Sequence, residues 1–492
     1  MTMNQFVKGL FGGGLLCCTV LGATAQSFEE YKQQKIKDFN QYKMQREREF
    51  KEYRDRINAE FAEYMRQAWP QYKSKPAEPV PDLPEPPAPI VKDPDTPPSN
   101  DPVPFDEVTP IPEPVEPPQP VVPLPEPLVP VRPTFVFTFY GQQCEIPLEN
   151  KHRFALTGAT ENSVADGWVV LSSDEYLPVL SQCLDYRDKL CLCDWGYVRF
   201  IEQMTTAFFS SAQLNEARLM QMYILVQSGY KVRIARAGEK LILLIPSQQM
   251  LYGHNYFTID GDRYFVIDKS ANFASMKIYT HSYPKEKYLS LSVPVPPKLP
   301  IAPTNPRFIR SKHNSELALN IRVNKNLIDF YDDCIVNDYW NLYSAASLSD
   351  YAKEQLYPVL RGSIAGKSKH AAANILLHFV QTALEYATDD EQFGYERPLF
   401  ADETLFYPYS DCEDRAILYS ILVRELLGLD VVLLHYPGHL ATAVCFDTEV
   451  QGDYLQVDGL RYTVCDPTYI NADVGQAMPQ YKQTAARVIR TK

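Results

Sequence analysis

Three side chains in the C-terminal part of the 492-residue chain could together perform acyl transfer: Cys412, His439 and Asp466. A thiol is a nucleophile only as thiolate. An imidazole can take the thiol proton and return it to a leaving amine, and a carboxylate can fix the imidazole tautomer and steady its cation. Their order fits elements able to position them. "YPYSDCEDRAILYS" starts an apolar helical run, Ala416 to Leu427, that ends at Gly428. Glycine suits a helix C-cap, and Ser410 or Asp411 can serve as N-cap. Cys412 is thereby expected in the first turn, where unpaired amides and the helix dipole favour an anion. "LDVVLLHY" reads as a buried strand, Tyr436-Pro437-Gly438 as a turn, and His439 as the opening of a second strand, "LATAVCF". "DYLQVDGLRYTVCD" reads as a hairpin around Asp458-Gly459, with Asp466 at its end.

Glu413 and Asp414 oppose a thiolate, and are expected to splay outward and be hydrated. A hydrated carboxylate about 4 Å away costs roughly 1 kcal/mol, and the helix terminus offsets about 0.3–1 kcal/mol. An imidazolium partner lowers a cysteine pKa to about 3–4, so a histidine within reach decides the balance.

"SDCEDRA…ILV", "GHLATAV" and "VCDPTY" resemble the three motifs of the transglutaminase-like, papain-like cysteine-thiol superfamily, over Leu376 to about Tyr469. The resemblance implies a papain-like α+β core with Cys412, His439 and Asp466 as catalytic residues. It implies a peptidase, amidase or acyl transferase that needs no cofactor and no metal. The sequence departs from the pattern at Ser410, where the family has glycine, and has no tryptophan near the site to stabilise an oxyanion. The Cys412 amide is one expected donor, with Tyr407, Tyr409 or Gln392 as candidates for a second. His435, four residues before His439, lies on an expected strand, where such spacing does not converge on a metal.

Residues 134–294 and 307–492 read as two copies of one domain, separated by a proline-rich linker at 295–306. "YFTIDGDRYFVID" (Tyr256 to Asp268) aligns without a gap with "YLQVDGLRYTVCD" (Tyr454 to Asp466), and upstream "NEARLMQMYILVQSG" resembles "CEDRAILYSILVRELLG". In this alignment Asn215, Lys240 and Asp268 stand where the second copy has Cys412, His439 and Asp466. The first copy is therefore expected to be a degenerate transglutaminase-like domain, and the fold class α+β with two such domains in tandem.

Residues 1–25 read as a bacterial-type export signal: Lys8, a small and apolar run from Gly9 to Ala23, and Ala23-Thr24-Ala25 before the cleavage point. Cys17 and Cys18 invite a lipid-attachment reading, which Leu16 disfavours. The expected location is periplasmic or at the cell surface. The eight cysteines beyond the signal read as buried or bridged structural residues, apart from Cys412. Residues 26–73 read as helix. Phe28, Phe39, Phe50 and Phe61, like Tyr31, Tyr42, Tyr53 and Tyr64, recur every 11 residues, giving one narrow aromatic stripe. Self-association or docking through helix 27–69, a solvated helix, and wall-polymer binding are the open readings. Residues 74–133 hold more than half of the 40 prolines and read as an extended polyproline II stalk. A hydrophobic content of 45% allows real cores, and the net charge of −13 argues against non-specific nucleic-acid binding.

The expected activity is cleavage or transfer of a peptide or amide acyl group through a Cys412 thioester. The substrate is expected to be a peptide or protein, cell-wall peptide included. The alternative is a non-enzymatic surface or periplasmic binding and assembly protein.

Overall fold

The computed structural model describes residues 28–79, 88–111, 116–124, 134–268, 273–337 and 339–491. The expected signal at 1–25, with Cys17 and Cys18, lies outside them. The chain divides into two compact units, 1–54 and 55–492. The described part of the first is helical, the start of α1 (Phe28–Met65). There Phe28, Tyr31, Phe39 and Tyr42 are exposed. In the second unit the fourth repeat behaves differently. Phe61 is buried against Trp168, Tyr279 and Tyr283, and Tyr64 stacks on His281. The helix stops at Met65, short of the expected Lys73, because Pro70 lacks the N–H that continuation needs.

The second unit is α+β. After α1 come β1 (Gln71–Lys73), β2 (Phe105–Thr109) and the hairpin β3 (Phe135–Phe139) and β4 (Gln142–Ile146). Helices α2 (Glu161–Leu171), α3 (Leu177–Lys189), α4 (Asp194–Phe209) and α5 (Leu214–Gln227) precede β5 (Arg233–Ala237), β6 (Lys240–Ser247), β7 (Tyr256–Ile259), β8 (Asp262–Val266) and β9 (Ser275–Ile278). A second hairpin follows, β10 (Arg307–Arg310) and β11 (Ala318–Ile321). Then come α6 (Lys325–Asp332), α7 (Trp340–Ala345), α8 (Asp350–Ile364), α9 (Lys369–Ala383), α10 (Asp389–Gln392), α11 (Ala401–Phe406) and α12 (Cys412–Leu427). Strands β12 (Asp430–Tyr436), β13 (His439–Cys445), β14 (Tyr454–Val457), β15 (Leu460–Cys465) and β16 (Ala486–Arg490) close the chain. The strands around His439 and the Asp458-Gly459 hairpin fall where the sequence places them.

Two six-stranded sheets result, β1-β9-β5-β6-β8-β7 and β2-β16-β12-β13-β15-β14. Position by position they have one strand order, and in each the helix before the central hairpin, α5 or α12, packs on the sheet. The sequence repeat is thus a repeat of topology. The faces are lined by Ile242, Leu244, Phe257 and Val266 in the first half and by Val432, Leu434, Tyr462 and Val464 in the second.

The described residues of 74–133 are not a stalk. Ser74, Lys75 and Ala77 bond to the first half, at Ala274, Tyr256 and Asn255. Residues 90–109 run along the second half, where β2 pairs in parallel with β16. Pro118 then accepts a hydrogen bond from buried Arg187 in the first half. A polyproline II chain makes no internal hydrogen bonds, so its remaining polar groups are free to pair with a sheet edge. "FDEVT" between Pro104 and Pro110 supplies five consecutive N–H groups, which is what an edge strand needs. Each sheet therefore borrows its outermost strand from before residue 134, so the compact halves are not the contiguous segments 134–294 and 307–492. The 295–306 linker is also bonded on both sides, Lys298 to Leu190 and Thr304 to Val323. The halves touch where Trp195 Nε1 donates to the Asp333 carbonyl at 2.9 Å and Arg199 pairs with Asp333 at 3.1 Å.

Candidate active site

Helix α12 begins at Cys412, with Asp411 as N-cap, and ends at Gly428 in the left-handed region (φ +63°). The Asp411 side chain makes no capping bond. Cys412 Sγ accepts the Leu440 N–H at 3.1 Å and lies 3.5 Å from Glu413 Oε2, to which it donates. Leu440 follows His439, the first residue of β13, so the sulfur sits on the backbone that carries the imidazole. His439 Nε2 lies 2.9 Å from Asp466 Oδ2. Asp466, just after β15, is fixed through its other oxygen, which accepts the amides of Thr468 at 2.9 Å and Tyr469 at 3.2 Å. An ionised Asp466 accepts from Nε2–H, and in that tautomer Nδ1 carries the lone pair of a base. The structure thus brings the three expected residues to one corner of the second sheet.

The corner is closed. Cys412, His439 and Asp466 are 0, 1 and 2% exposed. Tyr481, in the loop from β15 to β16, stacks on the His439 ring at 5.0 Å between centroids, and on Tyr436 at 4.8 Å.

The acids beside the cysteine do not point outward. Glu413 and Asp414 are fully buried, and Asp414 Oδ1 accepts the Leu399 N–H at 2.9 Å. A first helical turn exposes side chains only where nothing packs on it, and here α11 and the 385–400 segment cover it. Asp389, Asp411 and Glu413 each place a carboxylate oxygen within 4.8 Å of the others. Among the described residues this grouping could reach a common hard cation. Protonation also relieves the crowding. Burial, then the nearby Asp414 charge, pushes the Asp389 carboxyl up to about 9, and Asp411 is its hydrogen-bond partner. Burial also raises Glu403, paired with Arg397, to about 8. Arg415 spans this region, its guanidinium on Ser410 Oγ at 3.2 Å and the Leu384 carbonyl at 2.9 Å. Burial lowers it to about 10.

Two expected oxyanion donors are engaged elsewhere. Gln392 donates to the Tyr409 carbonyl at 3.5 Å and accepts its N–H at 3.1 Å, and Tyr407 Oη donates to Asp332 at 2.7 Å, so both hold the turn before α12. The Tyr409 side chain is exposed. His435 lies against Trp340 (4.5 Å), and burial, then Arg487, lowers it to about 4. The eight described cysteines are free thiols, and Cys465 is buried as expected whereas Cys445 is only partly covered. Sequence reasoning missed Asp389, Tyr481 and Gln381. The Gln381 amide donates to the carbonyls of Asp466, Tyr469 and Ala472 at 2.8–3.1 Å and holds the loop after Asp466. None of the three lies in a motif, and only the folded chain brings them to the site.

The first half repeats the central contact without the chemistry. Asn215 Oδ1 accepts the Leu241 N–H at 2.9 Å, matching Cys412 and Leu440, and its amide donates to the Glu239 carbonyl at 2.8 Å. Lys240 and Asp268, aligned with His439 and Asp466, are exposed. Among known proteins, no family model, no curated protein and no solved structure matches this chain.

Proposed function

We propose that the second half is a cysteine-thiol acyl-transfer site of transglutaminase-like type, on a papain-like α+β scaffold duplicated in tandem, and that it is held closed. The observation that carries this reading is the convergence of Cys412, His439 and Asp466, with sulfur on the Leu440 amide and imidazole on the carboxylate. When the site opens, the His439 ring nitrogen takes the Cys412 proton and the thiolate adds to an amide carbonyl. The tetrahedral intermediate expels the amine, which takes the proton back from His439. The thioester is then resolved by water, giving hydrolysis, or by an acceptor amine, giving transfer. The proposed substrate is a peptide or protein amide, with cell-wall peptide following from the proposed export to the periplasm or surface. Exposed Phe28, Tyr31, Phe39 and Tyr42 accompany this with proposed self-association through helix 27–69.

A second reading, a binding or assembly protein, is favoured by the burial of all three side chains and by the acids around the thiol. Iodoacetamide labelling between pH 6 and 9, read by peptide mass spectrometry, separates the two. An imidazole-paired Cys412 gives a nearly flat profile that becomes steep, about tenfold per pH unit, in His439→Ala. A steep Cys412 profile in the unmodified protein, unchanged by His439→Ala, would falsify the enzymatic reading.

A further inference from the structure

Why a site with these residues should be covered has an answer in the proline-rich segment. We propose that residues 88–109 are an internal ligand of the second half that clamps loop 466–485 over His439 and keeps the Cys412 site closed until the segment is displaced. The proposal rests on the acyl-transfer reading of that site.

Loop 466–485 carries Tyr481, the ring that covers His439. The loop has no helix or strand of its own; α9 anchors its first part through Gln381 and Asn374, and the segment meets it at two places. At one end, Ile470 donates its N–H to the Ile90 carbonyl at 2.9 Å and accepts from the Lys92 N–H at 2.8 Å. There Tyr469, Ala472 and Met478 form a small apolar cluster, with Ile90 and Tyr481 packed against it together. Strap and lid thus share one patch of buried surface.

At the other end the hub is Asp453, which is fully buried. Its Oδ1 accepts from Ser99 Oγ at 2.7 Å and from the Asp101 N–H at 3.2 Å, both in the strap. Its Oδ2 accepts the Ala477 N–H at 3.1 Å and pairs with Lys482 Nζ at 3.1 Å, both in the lid. Lys482, next to Tyr481, also donates to Ser99 Oγ. Asn100 Oδ1 accepts from the Gly452 N–H at 3.1 Å and from Arg461 at 2.6 Å, which fixes the strap beside the hub.

The same chemistry makes the segment displaceable. Its hydrogen bonds fall in three short stretches, Ile90–Lys92, Ser99–Pro104 and β2, and the prolines among them donate nothing. Strand β2 lies at the sheet edge and is held by β16 alone. A proline-rich chain is already extended when free, so it regains little entropy by leaving and can rebind at little ordering cost. A competing extended peptide or a pull on the segment would therefore release it without unfolding the sheet.

The test uses the full chain and the absolute rate of Cys412 alkylation at pH 9. At that pH access rather than His439 governs reactivity, so this readout is independent of the pH profile that tests the acyl-transfer reading. Ser99→Ala with Asn100→Ala, which removes four hydrogen bonds, and separately Tyr481→Ala, which removes the covering ring, are each expected to raise the rate about tenfold or more. Buried Cys465 should stay unreactive, showing that the sheet is intact. A synthetic peptide of residues 88–109 should restore protection to the strap variant. Hydrogen exchange should quicken in 466–485 and not in α12. The proposal is overturned if only Tyr481→Ala raises the rate, if neither variant does, or if Cys465 becomes reactive in parallel.

Discussion

Asn215 and Cys412 stand at matching places beside two sheets of one strand order, at the start of the helix that packs on the central strands. Each accepts the amide of the second residue of the second strand after its helix, at 2.9 and 3.1 Å. Of the neighbours of this contact, the buried glutamate that follows, Glu216 or Glu413, is kept, and the rest differ. Around Asn215 the aligned positions hold Leu214, Glu216, Ala217, and an exposed Lys240. Around Cys412 they hold Asp411, Glu413, Asp414 and a buried His439. The contact itself is therefore scaffold, a bond that joins helix to sheet whatever the side chain. Asp411, Asp414 and the imidazole are the groups found beside Cys412 and not beside Asn215. Four buried carboxyl groups, Asp389 included, are costly to keep in a packed region, and the copy without a thiol has shed Asp411 and Asp414.

The largest difference between the copies should appear in reactivity. His439→Ala is expected to slow Cys412 acylation at pH 6 by about 10²–10⁴-fold, whereas Lys240→Ala leaves it unchanged. Equal effects of both, measured with a thioester-forming probe, would break the comparison.

Stability separates the copies next. Gly229 and Gly428 are aligned and both have positive φ, but a Cβ on Gly229 would lie 2.5 Å from the Gln119 carbonyl oxygen, while one on Gly428 meets nothing within 4 Å. Gly229→Ala should cost roughly 3 kcal/mol or more through strain and displaced backbone. Gly428→Ala should cost about 1 kcal/mol for the left-handed conformation alone. Urea denaturation of both variants checks the ranking, and it also reports whether the proline-rich segment stays docked on the first half.

A pH effect follows from Asp389 in the second copy. The folded Asp389 carboxyl titrates far above its unfolded value of 3.8, at about 9. The folded state then binds the proton more tightly, so stability is full below about pH 4 and falls as pH rises toward 9. Asp389→Asn should flatten that decline and raise the urea midpoint at pH 8, since an amide oxygen can still accept the Arg397 N–H that Asp389 accepts now. A variant less stable at every pH would show that the carboxyl holds a cation or a required charge.

The smallest effect should come from Asn215→Cys. It removes the bond to the Glu239 carbonyl, for roughly 1 kcal/mol. The new thiol should label with the steep profile of an ordinary cysteine, because Lys240 supplies no base. A flat profile would mean that the scaffold alone activates sulfur.

Much of this was legible beforehand. The caps and apolar run placed α12 from Cys412 to Gly428, the alternating strands placed His439 and Asp466, and the repeat paired Asn215 with Cys412. These are local patterns, written in spacing, and hydrogen bonding within a helix or hairpin enforces them directly. Glu413 and Asp414 were misjudged for the opposite reason. Their exposure depends on what covers the first turn, and that is the 385–400 segment, which no local pattern relates to them.

The order of elements, the internal repeat and the candidate residues Cys412, His439 and Asp466 are readable from the amino acids, because each follows from short-range geometry or from comparing the chain with itself. The burial of the acids, the covering of His439 by Tyr481 and the docking of proline-rich residues at a sheet edge come from long-range packing. An extended chain without internal hydrogen bonds has no preferred partner of its own, so its place is set by whichever unpaired edge and buried carboxylate the rest of the fold presents to it.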